Sequence, residues 1–486
     1  MLSRRRFLAL SAGAAGAVAL PRGLSWAGGD DAAPPAARAG GAAVPGPGTL
    51  VAADAPAYPA FAVRMPVSPV LRPIALPDRD VYAVDIRATD VEVFPGVRTP
   101  ALTFGGTWPG PTIRARQNRT TQVTYWNRLS EPANVHLHGA HVPASSDGHP
   151  MDLIAPGATR TYVYPNTQVG TTLWYHDHAH HLEAEHVYRG LHGAYVVEGL
   201  DERGLRLPDG AYDVPIVLRD AAFDAAGALD FTPRIARPTI LANGKPQPYF
   251  PVAARKYRFR LVNASNQRNL TLSLPGAPIV KIGTDGGLLP APVPVTEVTF
   301  GSAERVELVV DFSAVPLGTR LLLTDATAGP ILAFDVTSRA GDPSRVPAAL
   351  RPADVLPAAT VTRDITLGFD LTGPTAVGLV NGVPFDPARV DVQVRRGTTE
   401  IWHVTNADAR IPHTFHLHLV QFTVLERDGG APLPQDLGRK DTVFLPPGGS
   451  VRVQATFGDY TGRYVYHCHY LEHSSEGMMA QVEVLP

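Results

Sequence analysis

Four short segments of this 486-residue chain carry a His-x-His pair, and the last of them encloses its only cysteine. They are His136-Leu137-His138, His176-Asp177-His178, His416-Leu417-His418 and His467-Cys468-His469. In an extended strand successive side chains point to opposite faces, so each pair puts both imidazoles on one face. Eight histidines of matching parity are then available to a single cluster. Such a chain must form strands at all four places and bring them together. A lone histidine is usually solvated or satisfied in a core. Four groups of like parity around one cysteine are instead a pattern for metal ligation.

Cys468 has no partner for an intrachain disulfide, so it is either apolar filler or a chemical group. His473 follows it by five residues and Met478 by ten. One thiolate, two imidazoles and a weak thioether make up a blue copper electron-transfer site. Cys468, His473 and Met478 supply three of these. In Pro412-His413-Thr414-Phe415-His416-Leu417-His418 the parity of His413 is opposite to that of His416 and His418. In a regular strand this makes His413 the second imidazole. Cys468 likewise faces away from His467 and His469. Two metal sites are then joined by one backbone step, on the order of 10–15 Å apart given ~3.8 Å between neighbouring Cα atoms.

The length leaves room for about three domains. With 43 Lys and Arg against 45 Asp and Glu, nothing points to nucleic acid or an anionic membrane surface. From Val63 onward, runs such as TTQVTYWNRL, RKYRFRLVNAS, ERVELVVDF and SVRVQATF are broken by Pro and Gly. Apolar and polar residues alternate and helical periodicity is scarce. This predicts an all-β chain of mostly antiparallel sandwiches. We place the domains at 61–200, 201–345 and 346–486, with a Pro- and Ala-rich stretch near 341–360 at the second boundary. No histidine lies between His192 and His403, so the middle domain reads as a spacer or as a shaper of the substrate side. The cluster histidines come half from the first domain and half from the third, so the cluster should bridge those two domains. Ser3-Arg4-Arg5-Arg6-Phe7-Leu8, an apolar run to Leu20 and Ser25-Trp26-Ala27 predict a twin-arginine signal over 1–27 and export to the periplasm or beyond. Residues 28–60, rich in Ala, Gly, Pro and Asp, read as a disordered linker.

The phrases VHLHGAHVPASSDGHP, LWYHDHAHHLEAEHVYRGLHGAYVV, HTFHLHLVQF and HCHYLEHSSEGMM, with the lead-in FGGTWPGPTIRA, resemble those of three-domain multicopper oxidases. The pattern is nearest to the bacterial spore-coat laccase and bilirubin oxidase branch, and it runs from about residue 65 to the end. The resemblance implies three cupredoxin-like Greek-key β-sandwich domains and four copper ions, one type 1, one type 2 and two type 3. Carried over residue by residue, it gives His413, Cys468, His473 and an axial Met478 to type 1, and His136 and His416 to type 2. One type 3 copper takes His138, His176 and His469; the other takes His178, His418 and His467. The implied reaction couples four one-electron oxidations of a donor, routed through Cys468, to reduction of O2 to two waters. The implied state is a monomer without a membrane span. The cluster's chemistry consumes protons, and Asp147 matches the family's proton-relay acid, although Ser-Ser-Asp-Gly is also a good turn. Relatives carry Glu directly after the histidine at 473; this chain has Ser474, with Glu476 as the candidate substitute. Asp177 faces away by parity and takes a structural role. His141, His149, His180, His181, His186, His192 and His403 have no counterparts as ligands, and Trp402, Tyr464 and Tyr466 read as core.

The cuprous-oxidase branch carries a Met-rich insert, whereas the methionines here are Met1, Met65, Met151, Met478 and Met479. Ala409, Arg410 and Ile411 also stand where that branch has acid and Met residues near the blue-site histidine. Phenols, aromatic amines or tetrapyrroles such as bilirubin are therefore the expected donors. The alternatives are a cuprous or metal-ion oxidase in copper tolerance, a copper nitrite reductase, or an exported scaffold. A nitrite reductase has no need of the paired His-x-His motifs, and scaffold relatives have lost ligands that are all present here.

Overall fold

The computed structural model describes residues 55–232 and 237–486. The expected signal segment 1–27 and residues 28–54 of the expected linker lie outside the described residues. The alternation in sequence becomes alternation in space. Along the strand Arg79–Glu92, Tyr82, Val84 and Ile86 point into a core while their neighbours are more exposed. Among the described residues, six sheets pair into three sandwiches. In the first, a sheet built on Arg79–Glu92 and Thr120–Asn127 covers a four-stranded sheet ordered Gly110–Arg116, His192–Glu198, Thr171–His176, His136–His138. Ile86, Ile113, Tyr125 and Tyr195 fill the space between them. The middle sandwich closes on Ile216, Phe259, Leu272 and Phe334.

The third sandwich holds a five-stranded sheet ordered Val392–Arg395, Met479–Leu485, Gly462–Cys468, His413–Leu417, Thr442–Leu445. Its core contains Trp402, Phe415, Tyr464, Tyr466 and Cys468, so the three aromatic residues read as core lie in the core. Not every neighbour is antiparallel. Arg79–Glu92 with Thr120–Asn127, and Val361–Asp370 with Thr399–Asn406, are parallel pairs. In a Greek key, strands distant in sequence become neighbours, and alternation alone does not report their direction.

The start of the first domain differs from the boundary placed at 61. Phe61 N donates to Gln247 O at 2.7 Å and Met65 N to Tyr249 O at 2.7 Å. Met65 is buried in the middle sandwich's core. Tyr58, within the stretch read as linker, packs its ring 5.3 Å from that of Phe94. The chain thus runs along the middle domain before it enters the first, anchored by an apolar side chain that finds its burial there.

Candidate metal centre

Strand register builds the smaller site. His413–Leu417 pairs antiparallel with Gly462–Cys468, placing Phe415 opposite Cys468 and His416 opposite His467. Cross-strand partners share a face, so Cys468 and His413 look into the third sandwich while His416 and His467 look out of it. The short helix Leu471–Ser475 then turns His473 back onto the cysteine. Nδ1 of His413 lies 3.6 Å from Cys468 Sγ, Nδ1 of His473 lies 3.5 Å from it, and the two nitrogens are 3.1 Å apart. Thr414 N donates to Sγ at 3.4 Å. His413 Nε2 donates to Asp408 Oδ2 at 2.9 Å, which leaves the Nδ1 lone pair bare toward the sulfur. Burial pushes the Cys468 thiol up to about 12, so a cation bound here must displace its proton. Met478 is buried, and its backbone bonds His473 O and Cys468 N, each at 3.0 Å.

The larger site lies between the first and third sandwiches. His136 stacks on His418, and His138 on His416, each with ring centroids 3.8 Å apart. His178 Nε2 is 3.2 Å and His418 Nε2 3.3 Å from His467 Nε2. All eight histidines are buried. Ligand atoms converge within 4.8 Å in His136/His138/His176, His136/His416/His418 and His178/His418/His467. The last trio coincides with one of the two type 3 sets implied by the resemblance. The other two share His136, one of them reuses His418, and both cut across the other implied sets; His469 lies beside them, its ring 4.9 Å from that of His138.

Hydrogen bonds choose which nitrogen each ring turns inward. Nδ1 of His136, His176, His416 and His467 donates to the carbonyls of Asp147, Asp177, Asp441 and Cys468, at 2.6, 2.8, 2.8 and 3.0 Å. His418 Nδ1 donates to Asp147 Oδ2 at 2.8 Å. Each of these rings is left with Nε2. His138 is reversed: its Nε2 donates to Asp441 Oδ1 at 2.9 Å. The inward nitrogens Nε2 of His136, His176 and His416, Nδ1 of His138 and both nitrogens of His469 have no partner. Buried polar atoms are rarely left so. Burial pushes all eight imidazoles below their ordinary pKa, so they are neutral lone-pair donors. This donor set fits copper ions.

Three acids adjoin these rings, and a fourth, Glu183, lies beside one of the three, Asp177. Asp147 is fully buried and serves both His136 and His418, the first through its carbonyl and the second through its side chain. Gly148, at φ +78°, permits this approach, since a Cβ there would lie 2.1 Å from Val135 O. Burial pushes Asp147 up to about 6. Asp177 accepts from Asn134 N at 2.7 Å and Ala179 N at 2.9 Å, in keeping with the structural role assigned to it. Asp441 pairs with Arg305 as well as with His138. Glu183, in the helix Glu183–Arg189, is fully buried beside the hydroxyls of Ser474 and Ser475. Glu476, by contrast, lies half-exposed just past the helix Leu471–Ser475.

Two of the sequence expectations are modified here. Asp408 supplies an acid at the blue-site histidine, one position before the stretch 409–411 in which none was found. The middle domain offers no histidine, yet it reaches the cluster's surroundings through Arg305 and is more than a spacer. Glu183, Asp408, Asp441 and Arg305 were not singled out from sequence. The available signals were slight: an acid in the polar string Arg439-Lys440-Asp441-Thr442, and a glutamate opening a short helix whose buried face also carries Ala184, His186, Val187 and Tyr188. Among the histidines set aside, His186 bridges Asp177 and Glu131 at 3.2 and 3.3 Å, and His181 donates to Ser475 O at 2.9 Å. Burial lowers the pKa of His186, but the two carboxylates outweigh it and raise it to about 9.

Sequence profiles described as multicopper oxidase match residues 85–202 and 354–486. The laccase of Bacillus stratosphericus is 34% identical over 87% of this chain and 99% of its own length. The bilirubin oxidase of Albifimbria verrucaria is 34% identical over 90% of this chain and 83% of its own. The crystal structure of the laccase from Pediococcus acidilactici superposes with a TM-score of 0.82 at 28% identity, covering 89% of this chain and 95% of that one.

Proposed function

The chain belongs to the multicopper oxidase family and is a copper-dependent oxidase of organic donors with O2 as acceptor, and on that premise we propose how its residues divide the work. His413, Cys468, His473 and Met478 hold the copper that meets the donor. The eight clustered histidines hold three more, in the type 2 and type 3 sets implied by the resemblance. Bound copper supplies one-electron acceptance at the first site and four-electron reduction of O2 to two waters at the second. The chain supplies the connection, since His467 and His469 adjoin Cys468 directly in the backbone. The observation that carries this reading is that one strand presents Cys468 to one site and His467 to the other.

Protons reach the cluster through groups that touch its ligands. Asp147 is one, hydrogen-bonded to His418 at 2.8 Å. Glu476 is the second candidate acid, in place of the Glu that relatives carry at position 474. The His473 ring, edge-on to Phe369 with centroids 4.8 Å apart, lies on the donor side. Phenols, aromatic amines or tetrapyrroles fit a site without a Met-rich insert. Oxidation of cuprous ions is the second reading, and the half-buried Asp408 carboxylate beside His413 favours it by offering a negative group to a cation. The twin-arginine motif supports export of the folded chain, which acts as a monomer. Among the described residues no helix is long and apolar enough to cross a membrane.

Copper content per chain and the blue absorption of purified protein test the assignment. Four coppers and an intense blue band are expected; full occupancy without colour would refute it. Turnover with a phenol or bilirubin should exceed that with Cu(I) at matched concentration, and the reverse would establish the second reading.

A further inference from the structure

We propose that Arg305 of the middle domain and Asp441 of the third form a positioning pair that commits His138 to offer Nδ1 to the cluster, and so couple copper retention to docking of the middle domain. The inference rests on the copper reading above. A neutral imidazole carries one N–H, and a carboxylate that accepts it also decides which nitrogen is left as a ligand. Asp441 Oδ1 accepts from His138 Nε2 at 2.9 Å, and Thr442 Oγ1 lies 3.1 Å from the same nitrogen. The carbonyl of Asp441 accepts from His416 Nδ1 at 2.8 Å. One residue therefore orients two stacked rings, one from each side of the domain interface. Asp441 Oδ1 also lies within ligand distance of His138 and His416, but both its oxygens are engaged elsewhere.

They are engaged by Arg305. Its Nη1 donates to Oδ1 at 2.7 Å and its Nη2 to Oδ2 at 2.5 Å, with both residues fully buried. A two-pronged guanidinium is the partner a buried carboxylate needs to keep its charge and its orientation. The guanidinium is itself held from two domains. Nε donates to Thr172 O of the first at 3.0 Å, and Nη2 to Asp285 O of the middle at 3.1 Å. Asp285 Oδ1 accepts the Arg305 amide at 2.7 Å and lies 3.6 Å from Nη1, and its Oδ2 is 3.3 Å from Lys440 Nζ. Gly139, next to His138, leaves room for the pair, since a Cβ there would lie 2.5 Å from both Arg305 Nη2 and Asp441 Oδ2. All three domains thus meet at one ion pair, whose Asp441 Oδ1 also accepts from His138.

The test compares Arg305→Met, Arg305→Lys and Asp441→Asn with the wild-type holoenzyme. Copper per chain is measured after dialysis against graded chelator, together with the blue absorption and the type 2 paramagnetic resonance signal. Losing a partner that orients a metal ligand typically weakens metal retention roughly 10–100-fold. Arg305→Met and Asp441→Asn should lose cluster copper and its resonance signal with that increase in sensitivity. The blue absorption per chain should stay, because the pair does not touch His413, Cys468 or His473. Arg305→Lys keeps the charge without the fork and should fall between. Cluster copper retained as in wild type by Asp441→Asn and Arg305→Lys would overturn the proposal, and so would loss of blue and cluster copper together, which marks a general folding defect. If Arg305→Met does not fold, the two milder variants carry the test. A wild type that binds no copper would fail the functional reading itself, whatever the variants do.

Discussion

Replacing Glu183 with Gln should stabilise the protein at alkaline pH and leave it nearly unchanged in acid. Glu183 is fully buried, and neither carboxyl oxygen has a hydrogen bond of ordinary geometry; the same is true of the Ser474 and Ser475 hydroxyl oxygens. Burial outweighs the help of those hydroxyls and pushes the pKa from 4.5 up to about 8. The folded state then holds this proton over a range in which the unfolded chain has released it. Stability therefore falls as pH rises from 4.5 to about 8. At about 1.4 kcal/mol per pH unit, the full penalty reaches roughly 5 kcal/mol above that window, as an upper limit. Gln keeps the shape and cannot ionise, so the variant escapes the penalty. Calorimetric melting of both proteins near pH 5 and near pH 8.5 isolates the effect, because other titrating groups are common to both. The two should nearly coincide at the lower pH. At the higher pH the variant should melt on the order of 5 °C above wild type for a chain of this size. A difference independent of pH would show that Glu183 does not titrate in this window. A variant less stable than wild type only at high pH would show that the native protein holds Glu183 as a carboxylate.

Cys468→Ser should abolish both colour and oxidase activity, and a blue Ser variant by absorption spectroscopy would remove Cys468 from the donor-side site. Met478→Leu should keep copper and colour while the potential of that site rises, because the thioether stabilises Cu(II) weakly; redox titration giving an unchanged or lower value would point to Met479 instead. Asp147→Asn should slow reoxidation of the reduced enzyme by O2 strongly while leaving bleaching by donor nearly unchanged. Stopped-flow reoxidation at the wild-type rate would mean that protons arrive by another path, with Glu476 next to test.

Parity in an extended chain repeats every two residues and belongs to the backbone. For that reason the opposed faces of His413 and His416, and of Cys468 and His467, could be read from sequence without any knowledge of the fold. The His473 and Met478 spacings were legible because a short helical turn returns the chain to Cys468 within ten residues. Asp408 is also a local partner, five residues from His413. Arg305 and Asp441 are different. They are 136 residues apart in separate sandwiches, and neither sequence context marks the other. The same holds for Glu183, whose burial depends on one short helix packing against another from the opposite end of the chain. Local pattern dictated which side chains could face together. The neighbouring carbonyls of Asp177 and Cys468 orient His176 and His467 locally, but docking of the domains decided which nitrogen His138 and His418 turn inward and which carboxylates lose their water, because those depend on partners that only tertiary contact supplies.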